Sequence, residues 1–169
     1  MKAIVAVDNN WGIGRDNDML ISIPDDMRFF VDQTTNKVVV MGRNTLESLP
    51  GGRPLKNRTN IVVSRSMDER ENVITVRSLE EALKEIKKYD ADKVMIIGGD
   101  SIYKQFLDYC DECIVTKIQE DFPDVDCYFP NLDEHEDWEI ENSTINYNWE
   151  GISYNFNWYK NKKVKDIGV

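Results

Sequence analysis

Short apolar, β-branched runs bounded by turn residues dominate the first two-thirds of the chain. They fall at Ala3–Val7, Val38–Met41, Asn60–Val63, Val73–Val76, Val94–Ile97 and Ile114–Ile118. Continuous apolar runs of this length predict strands buried on both faces. Helical periodicity lies between them, at Pro24–Thr34, Arg43–Ser48, Leu79–Lys88 and Ser101–Leu107. The third helix is the best marked: Ser78 and Glu81 form a capping box, and Leu79, Ala82, Leu83 and Ile86 make one apolar stripe. Strands alternating with helices predict an α/β domain, with a mainly parallel sheet covered on both faces and joined by right-handed crossovers. The last third reads differently. Trp138–Tyr147 and Ile152–Asn161 are extended runs around Asn148, Trp149, Glu150 and Gly151, a pattern for an antiparallel hairpin closing the sheet edge. No internal repeat, low-complexity tract or interdomain linker interrupts the pattern.

Composition narrows the class. A chain of 169 residues, 41% hydrophobic and 31% charged, suits one domain with a core and a ligand cleft. We place the domain at residues 1–161 and a short basic tail at 162–169. A net charge of −10 argues against nucleic-acid or anionic-membrane surfaces, because phosphates need clustered Lys and Arg. No apolar stretch approaches the roughly 20 residues of a membrane span, and MKAIVAVDNN runs straight into a strand, so a cytoplasmic protein without a signal peptide is expected. Cys110, Cys113 and Cys127 are an odd number, which suits a reducing compartment. With His135 they have the ligand types of a structural zinc site, but Cys113 opens a strand and His135 lies in an acidic loop. The C-x-x-C precedes a strand where a redox pair would open a helix. No metal is expected.

Candidate chemistry gathers where strands end, the usual ligand face of α/β sheets. In the helix starting at Pro24, Asp26 and Phe30 stand at i and i+4, which puts a carboxylate beside an aromatic ring, an arrangement that grips a flat, nitrogen-rich ring. The other reading makes Asp25 and Asp26 acids that complement the helix dipole. After the second strand, Gly42 lets a backbone approach a ligand, and Arg43, Asn44 and Thr45 open a helix. Gly98 and Gly99 make the same turn ahead of Asp100, Ser101 and Tyr103, and Ser64 and Arg65 follow a strand with groups for a phosphate monoester. Arg58, just before a strand, offers a bidentate fork to a carboxylate or else is a solvated surface arginine. Gly12-Ile13-Gly14 lacks the third glycine of a dinucleotide fingerprint, so Gly12–Ile21 is assigned as a mobile loop over the cleft.

Taken in order, GIGRDNDM with IPDDMRFF, VVVMGRNTLESL, GRPLKNRTNIVVS, VMIIGGDSIYKQF, and VTKI with DCYFP resemble dihydrofolate reductases over nearly the whole chain. The resemblance implies a single-domain, mixed, mostly parallel eight-stranded sheet flanked by helices, and NADPH-dependent reduction of dihydrofolate to tetrahydrofolate. It implies that Asp26 binds the pterin's amino group and ring nitrogen, supported by Thr116. Ile4, Val5, Met27, Phe30 and Ile97 would line the substrate pocket, Arg58 would pair with the glutamate α-carboxylate, and Ile21 would stand in the mobile loop beside the reacting rings. For NADPH it implies Ala6, Ile13 and Gly14 on the nicotinamide side. Gly42, Arg43, Asn44, Thr45, Gly98, Gly99, Asp100, Ser101 and Tyr103 would lie along the turns and phosphates, with Ser64, Arg65 and Arg77 at the ribose 2′-phosphate. A monomer acting on a small molecule and blocked by antifolates follows from the same likeness.

Two departures stand out. Family members commonly carry Pro-Trp where this chain has Leu20-Ile21, and a bulky aromatic where Leu46 stands. Losing the indole removes an N–H donor that holds a water near the pterin. Burial of Asp26 would raise its pKa and hydrogen bonds to the charged form would oppose that, a balance left open by the residues. The competing readings are a riboflavin-pathway reductase of the same fold, disfavoured by Asp26 with Phe30 and Arg58, and a catalytically silent nucleotide-binding or zinc-stabilised protein.

Overall fold

A computed structural model describes residues 1–167. Eight strands follow one another across the main sheet, and β1 (Lys2–Val7) lies near its middle. On one side of β1 come β6 (Val94–Gly98), β3 (Val38–Gly42), β4 (Thr59–Val63) and β5 (Ile74–Val76), all parallel. On the other side lies β7 (Glu112–Ile118), parallel to β1, then β11 (Ile152–Asn161), antiparallel to β7. A ninth strand joins as described below. The parallel strands are buried almost throughout, as continuous apolar runs require.

Side chains alternate across the sheet, so each face builds its own core. Ala3, Val5 and Val7 of β1 share a cluster with Val38, Val40, Val94, Ile96 and Val115, covered by α3 (Leu79–Ile86) and α4 (Asp100–Phe106). Ile4 points the other way, into a cluster with Val39, Met41, Met95, Ile97 and Ile114, covered by α1 (Pro24–Thr34) and α2 (Arg43–Ser48). This second face continues toward β11 through Ile23, Ile118, Tyr154 and Phe156, against which Ala6, Ile21 and Phe29 pack. Pro24 opens α1 at its first position, where a missing N–H costs nothing. Ser78 caps α3 by accepting from Glu81 N at 3.1 Å, and the Glu81 carboxylate reaches back to Arg77 N at 2.7 Å.

The C-terminal run differs from expectation. Trp138–Tyr147 is not one strand but the source of two, β9 (Trp138–Ser143) and β10 (Tyr147–Trp149), both antiparallel to β11, so the sheet holds nine strands. The cause is Thr144: its Oγ1 accepts from Phe156 N at 3.0 Å, a side-chain group standing where a ladder carbonyl belongs. The hairpin turn is tighter than the four residues expected. Glu150 and Gly151 both have positive φ, 49° and 83°, which is the two-residue turn matched to strand twist.

The loop expected over Gly12–Ile21 begins as a strand. β2 (Gly12–Gly14) pairs with β8 (Cys127–Tyr128) in a small second sheet. The basic tail is tied down over its first residues: Lys162 N donates to Asp137 O at 2.7 Å, and Lys165 N to Asp108 O at 2.8 Å, with its ammonium 5.3 Å from the Tyr109 ring centroid. Positions 168 and 169 lie outside the described residues.

Candidate active site

At the carboxyl ends of the central strands a cleft of about 500 Å³ opens between α2, α3 and α4. Gly42, Arg43, Asn44 and Thr45 line it from the β3–α2 turn, Ser64 and Arg65 from the end of β4, Arg77 from the approach to α3, and Gly99, Asp100 and Ser101 from the start of α4. A Cβ added to Gly42 would come within 3.1 Å of Ile102 Cγ1, so glycine lets the two helix starts close on one another. Gly98 has φ +125°, and a Cβ there would lie 3.3 Å from the Tyr103 ring. The cleft gathers helix N-termini, three arginines and hydroxyl groups, a chemistry suited to phosphates, with one carboxylate from Asp100.

The arginines are held to different degrees. Arg43 is ion-paired with Glu47 on its own helix at 2.8 Å. The Arg77 Nη1 donates to Ser64 O and Met67 O at 3.1 and 2.6 Å, which braces the loop after β4. Arg65 is exposed at the cleft wall. Tyr103 is buried, and its hydroxyl is engaged by the carbonyl of Ile4 at 2.6 Å, tying α4 to β1. Burial raises its phenol well above the ordinary pKa, so it is a fixed donor.

Asp26 belongs to α1, on the other face of the sheet from α3 and α4. Asp26 is half-buried, and its Oδ1 accepts from the Thr116 hydroxyl at 2.7 Å. Burial raises the Asp26 pKa and the Thr116 hydrogen bond pulls it back without cancelling the shift. Thr116 sits directly opposite Ala6 on β1 and Phe156 on β11, so the support of the carboxylate is set by strand register. Phe30 packs against the cluster that includes Ile4, Leu46 and Ile97, whereas Met27 is exposed. The Val5 side chain, expected in the substrate pocket, lies on the opposite face, in the α3 and α4 core, because side chains alternate along β1. Ile13 likewise packs toward that opposite core. Ile21 and Ala6 share the third cluster with Phe156.

Arg58 stands immediately before β4. Its Nη1 donates to Lys56 O at 3.0 Å, while Nε and Nη2 are buried without a hydrogen-bond partner. Burial lowers its pKa. Arg58 as a whole is half-buried, but its two shielded, unpaired nitrogens carry a cost that an anion would relieve.

Sequence reasoning missed the strap that holds the Gly12–Gly14 strand. Asp126 N donates to Gly14 O at 3.1 Å, and the Asp126 carboxylate accepts from Asp16 N at 2.9 Å. Trp11, in the left-handed region at φ 62°, is buried against Phe129 and Tyr159. A two-residue strand has no periodicity to read, and the only sequence trace is the DCYFP motif itself. The zinc alternative finds no support: among the described residues no group of three or more His, Cys, Asp or Glu is placed to hold a metal ion. Burial pushes the Cys110 thiol up to about 12, and Cys127 is raised to about 11.

A cleft rich in arginines and hydroxyls at the strand ends, together with a carboxylate held by a hydroxyl on the α1 side, has the make-up of a small-molecule site of a small α/β enzyme. The family model for dihydrofolate reductase matches residues 1–161. A dihydrofolate reductase of Haemophilus influenzae is 46% identical over 138 residues, covering 82% of each chain. One from Neisseria gonorrhoeae is 36% identical over 159 residues, covering 94% of this chain and 96% of its own. Among solved structures, a dihydrofolate reductase from Enterococcus faecalis complexed with NADP(H) and RAB-propyl superposes with TM-score 0.83 at 32% identity, covering 95% of both chains. This chain belongs to the dihydrofolate reductase family, whose members reduce dihydrofolate to tetrahydrofolate with NADPH.

Proposed function

We propose that this chain carries out the family reaction with the residues assembled above, and the observation that carries the reading is the Asp26 carboxylate held by Thr116 between α1 and the strand ends. The carboxylate binds the amino and N–H groups of the pterin and orients the ring against β1. Phe30, Ile4 and Ile97 pack on its faces, Met27 closes the edge, and Val5 contributes main chain. The half-buried Arg58, with Nε and Nη2 unpaired, takes the α-carboxylate of the glutamate tail. Ile21 shields the ring from the loop side.

NADPH fits the first cleft by its chemistry: helix starts at Arg43 and Asp100 face it, with Thr45 and Ser101 hydroxyls beside them. When bound, NADPH supplies the hydride. Ser64, Arg65 and Arg77 take the 2′-phosphate, and Ala6, Ile13, Gly14, Gly98 and Tyr103 shape the nicotinamide end. Asp26 polarises the substrate, and the proton comes from solvent. A monomer follows from the family likeness alone. Free Cys110, Cys113 and Cys127 support a cytoplasmic setting. A basic, diamino-substituted antifolate would bind as a cation on the ionised Asp26.

Loss of reduced-nicotinamide absorbance that depends on dihydrofolate tests the reading. Cofactor oxidation without that dependence overturns it.

Two variants report on separate parts. Arg65→Ala removes a partner of the 2′-phosphate alone, a charge-assisted bond worth roughly 1.5–3 kcal/mol, so the preference for NADPH over NADH falls by about tenfold or more. Cofactor titrations check it, and equal losses for both cofactors would assign Arg65 to the pyrophosphate or to folding. Thr116→Val removes the hydroxyl that lowers the Asp26 pKa. The acid limb of the turnover profile then moves to higher pH, and turnover at neutral pH falls by a few-fold to about tenfold. An unmoved limb in a folded variant would show that Thr116 only packs.

A further inference from the structure

We propose that Asp100 limits the affinity of the cofactor cleft by opposing the pyrophosphate, an inference that rests on reading this cleft as the NADPH site. Among the described residues that line the cleft, Asp100 is the single carboxylate, set against Arg43, Arg65 and Arg77.

Strand order divides the cleft into two ends. Ser64 and Arg65 follow β4 and Arg77 follows β5, whereas Asp100 follows β6, on the other side of β3. At roughly 4.8 Å per strand, the Asp100 turn stands about 10 Å from the end of β4 and about 14 Å from that of β5. Two of the three arginines therefore belong to the outer end. At the inner end Arg43, after β3, is already held by Glu47 at 2.8 Å. A Cβ on Gly99 would lie 3.6 Å from Thr45 Oγ1, so the Asp100 turn abuts the start of α2. Asp100 is half-buried and makes no ion pair among the described residues.

The charges are lopsided as a result. The outer end carries two arginines, and the inner end one arginine neutralised by Glu47 and one uncompensated carboxylate. The field of that carboxylate extends toward β2: burial, a hydrogen bond to Asp126 and then the charge of Asp100 raise the Cys127 thiol to about 11, and Cys127 pairs with Gly14. With the 2′-phosphate at the outer end, the pyrophosphate of the same ligand crosses the inner end on its way to the strand of Gly14. Like charges in a half-buried cleft repel more strongly than in open water. The 2′-phosphate is then the group that holds the ligand against this repulsion. An acid in the first turn of a helix also favours the helix dipole, but that role alone would show in stability and not in a salt-dependent affinity.

Calorimetric titration of the whole protein and of Asp100→Asn with NADPH, NADH and adenosine 2′-monophosphate tests the proposal. At low ionic strength the variant is expected to bind NADPH and NADH each about threefold to tenfold more tightly than the parent, and the monophosphate, which reaches only the outer end, within about twofold. Salt toward about 1 M should close the gap, because a screened charge no longer repels. Asp100→Ser removes the same charge with a different shape, and the same tightening is expected of it. Unchanged or weaker NADPH binding in both variants, equal tightening of the monophosphate, or a gap indifferent to salt overturns the role of Asp100 and leaves the cofactor reading standing. A parent that does not bind NADPH overturns both.

Discussion

Asp26→Asn lowers dihydrofolate turnover near neutral pH by more than about a hundredfold, equivalent to roughly 2.7 kcal/mol of transition-state stabilisation. The amide keeps the carboxylate's shape, and its oxygen still accepts from Thr116, so NADPH affinity and the fold stay nearly intact. Stability carries its own signature. Burial holds the Asp26 pKa above its ordinary value, so the folded protein takes up this proton more readily than the unfolded chain. That contribution to stability is full below the unfolded pKa and is lost as pH rises through the folded one. The parent therefore loses ground to Asp26→Asn between acid and neutral pH. Steady-state assays, cofactor titration and thermal melts at both pH values check the three parts. Parental turnover in the variant would return Asp26 to the role of a helix-dipole acid.

Arg58→Leu raises the KM for dihydrofolate by roughly ten- to a hundredfold and leaves kcat within a few-fold, because the ion pair it removes is made alike in ground and transition states. The free enzyme should not suffer. Nε and Nη2 of Arg58 are buried without partners, so leucine relieves a polar cost, and the melting temperature is expected to hold or rise. An equal fall in kcat would mean that Arg58 shapes the reacting end of the pocket. A lower melting temperature with unchanged KM would make it a structural residue. The sharpest substrate for this test lacks the glutamate tail: its KM should be the same in parent and variant.

Much of this fold is legible in residue order. The parallel strands announce themselves because both their faces are covered, so every position is apolar, and α3 does so because Ser78 and Glu81 mark its start. Edges are harder. The break between β9 and β10 turns on one hydroxyl, Thr144, bonding a main-chain N–H twelve residues away, and no local pattern encodes that. The site divides along the same line. Gly42, Ser64 and Gly99 lie where strands end, and the sheet brings strand ends together, whereas Asp26 is legible from its place in the first turn of α1. The residues around Asp126 escape notice because the partners of a strap, Gly14 and Asp16, are over a hundred positions distant. Val5 and Ile4 show the limit of a resemblance: adjacent in sequence, they point to opposite cores, so only one gives its side chain to the pocket.

The interruption at Thr144 also bears on how copies of this protein behave when crowded. A long, flat outer strand exposes a row of unpaired amides and carbonyls on which another chain can add and seed aggregates. Here that flank is divided into pieces of six and three residues, with Glu139 and Glu141 exposed on the longer one. Neither piece is long enough to template an extended intermolecular ladder, and a register that suits one is interrupted before the other. The Thr144 hydroxyl, standing in for one ladder carbonyl, thus leaves this edge two short acidic or polar pieces in place of one long template.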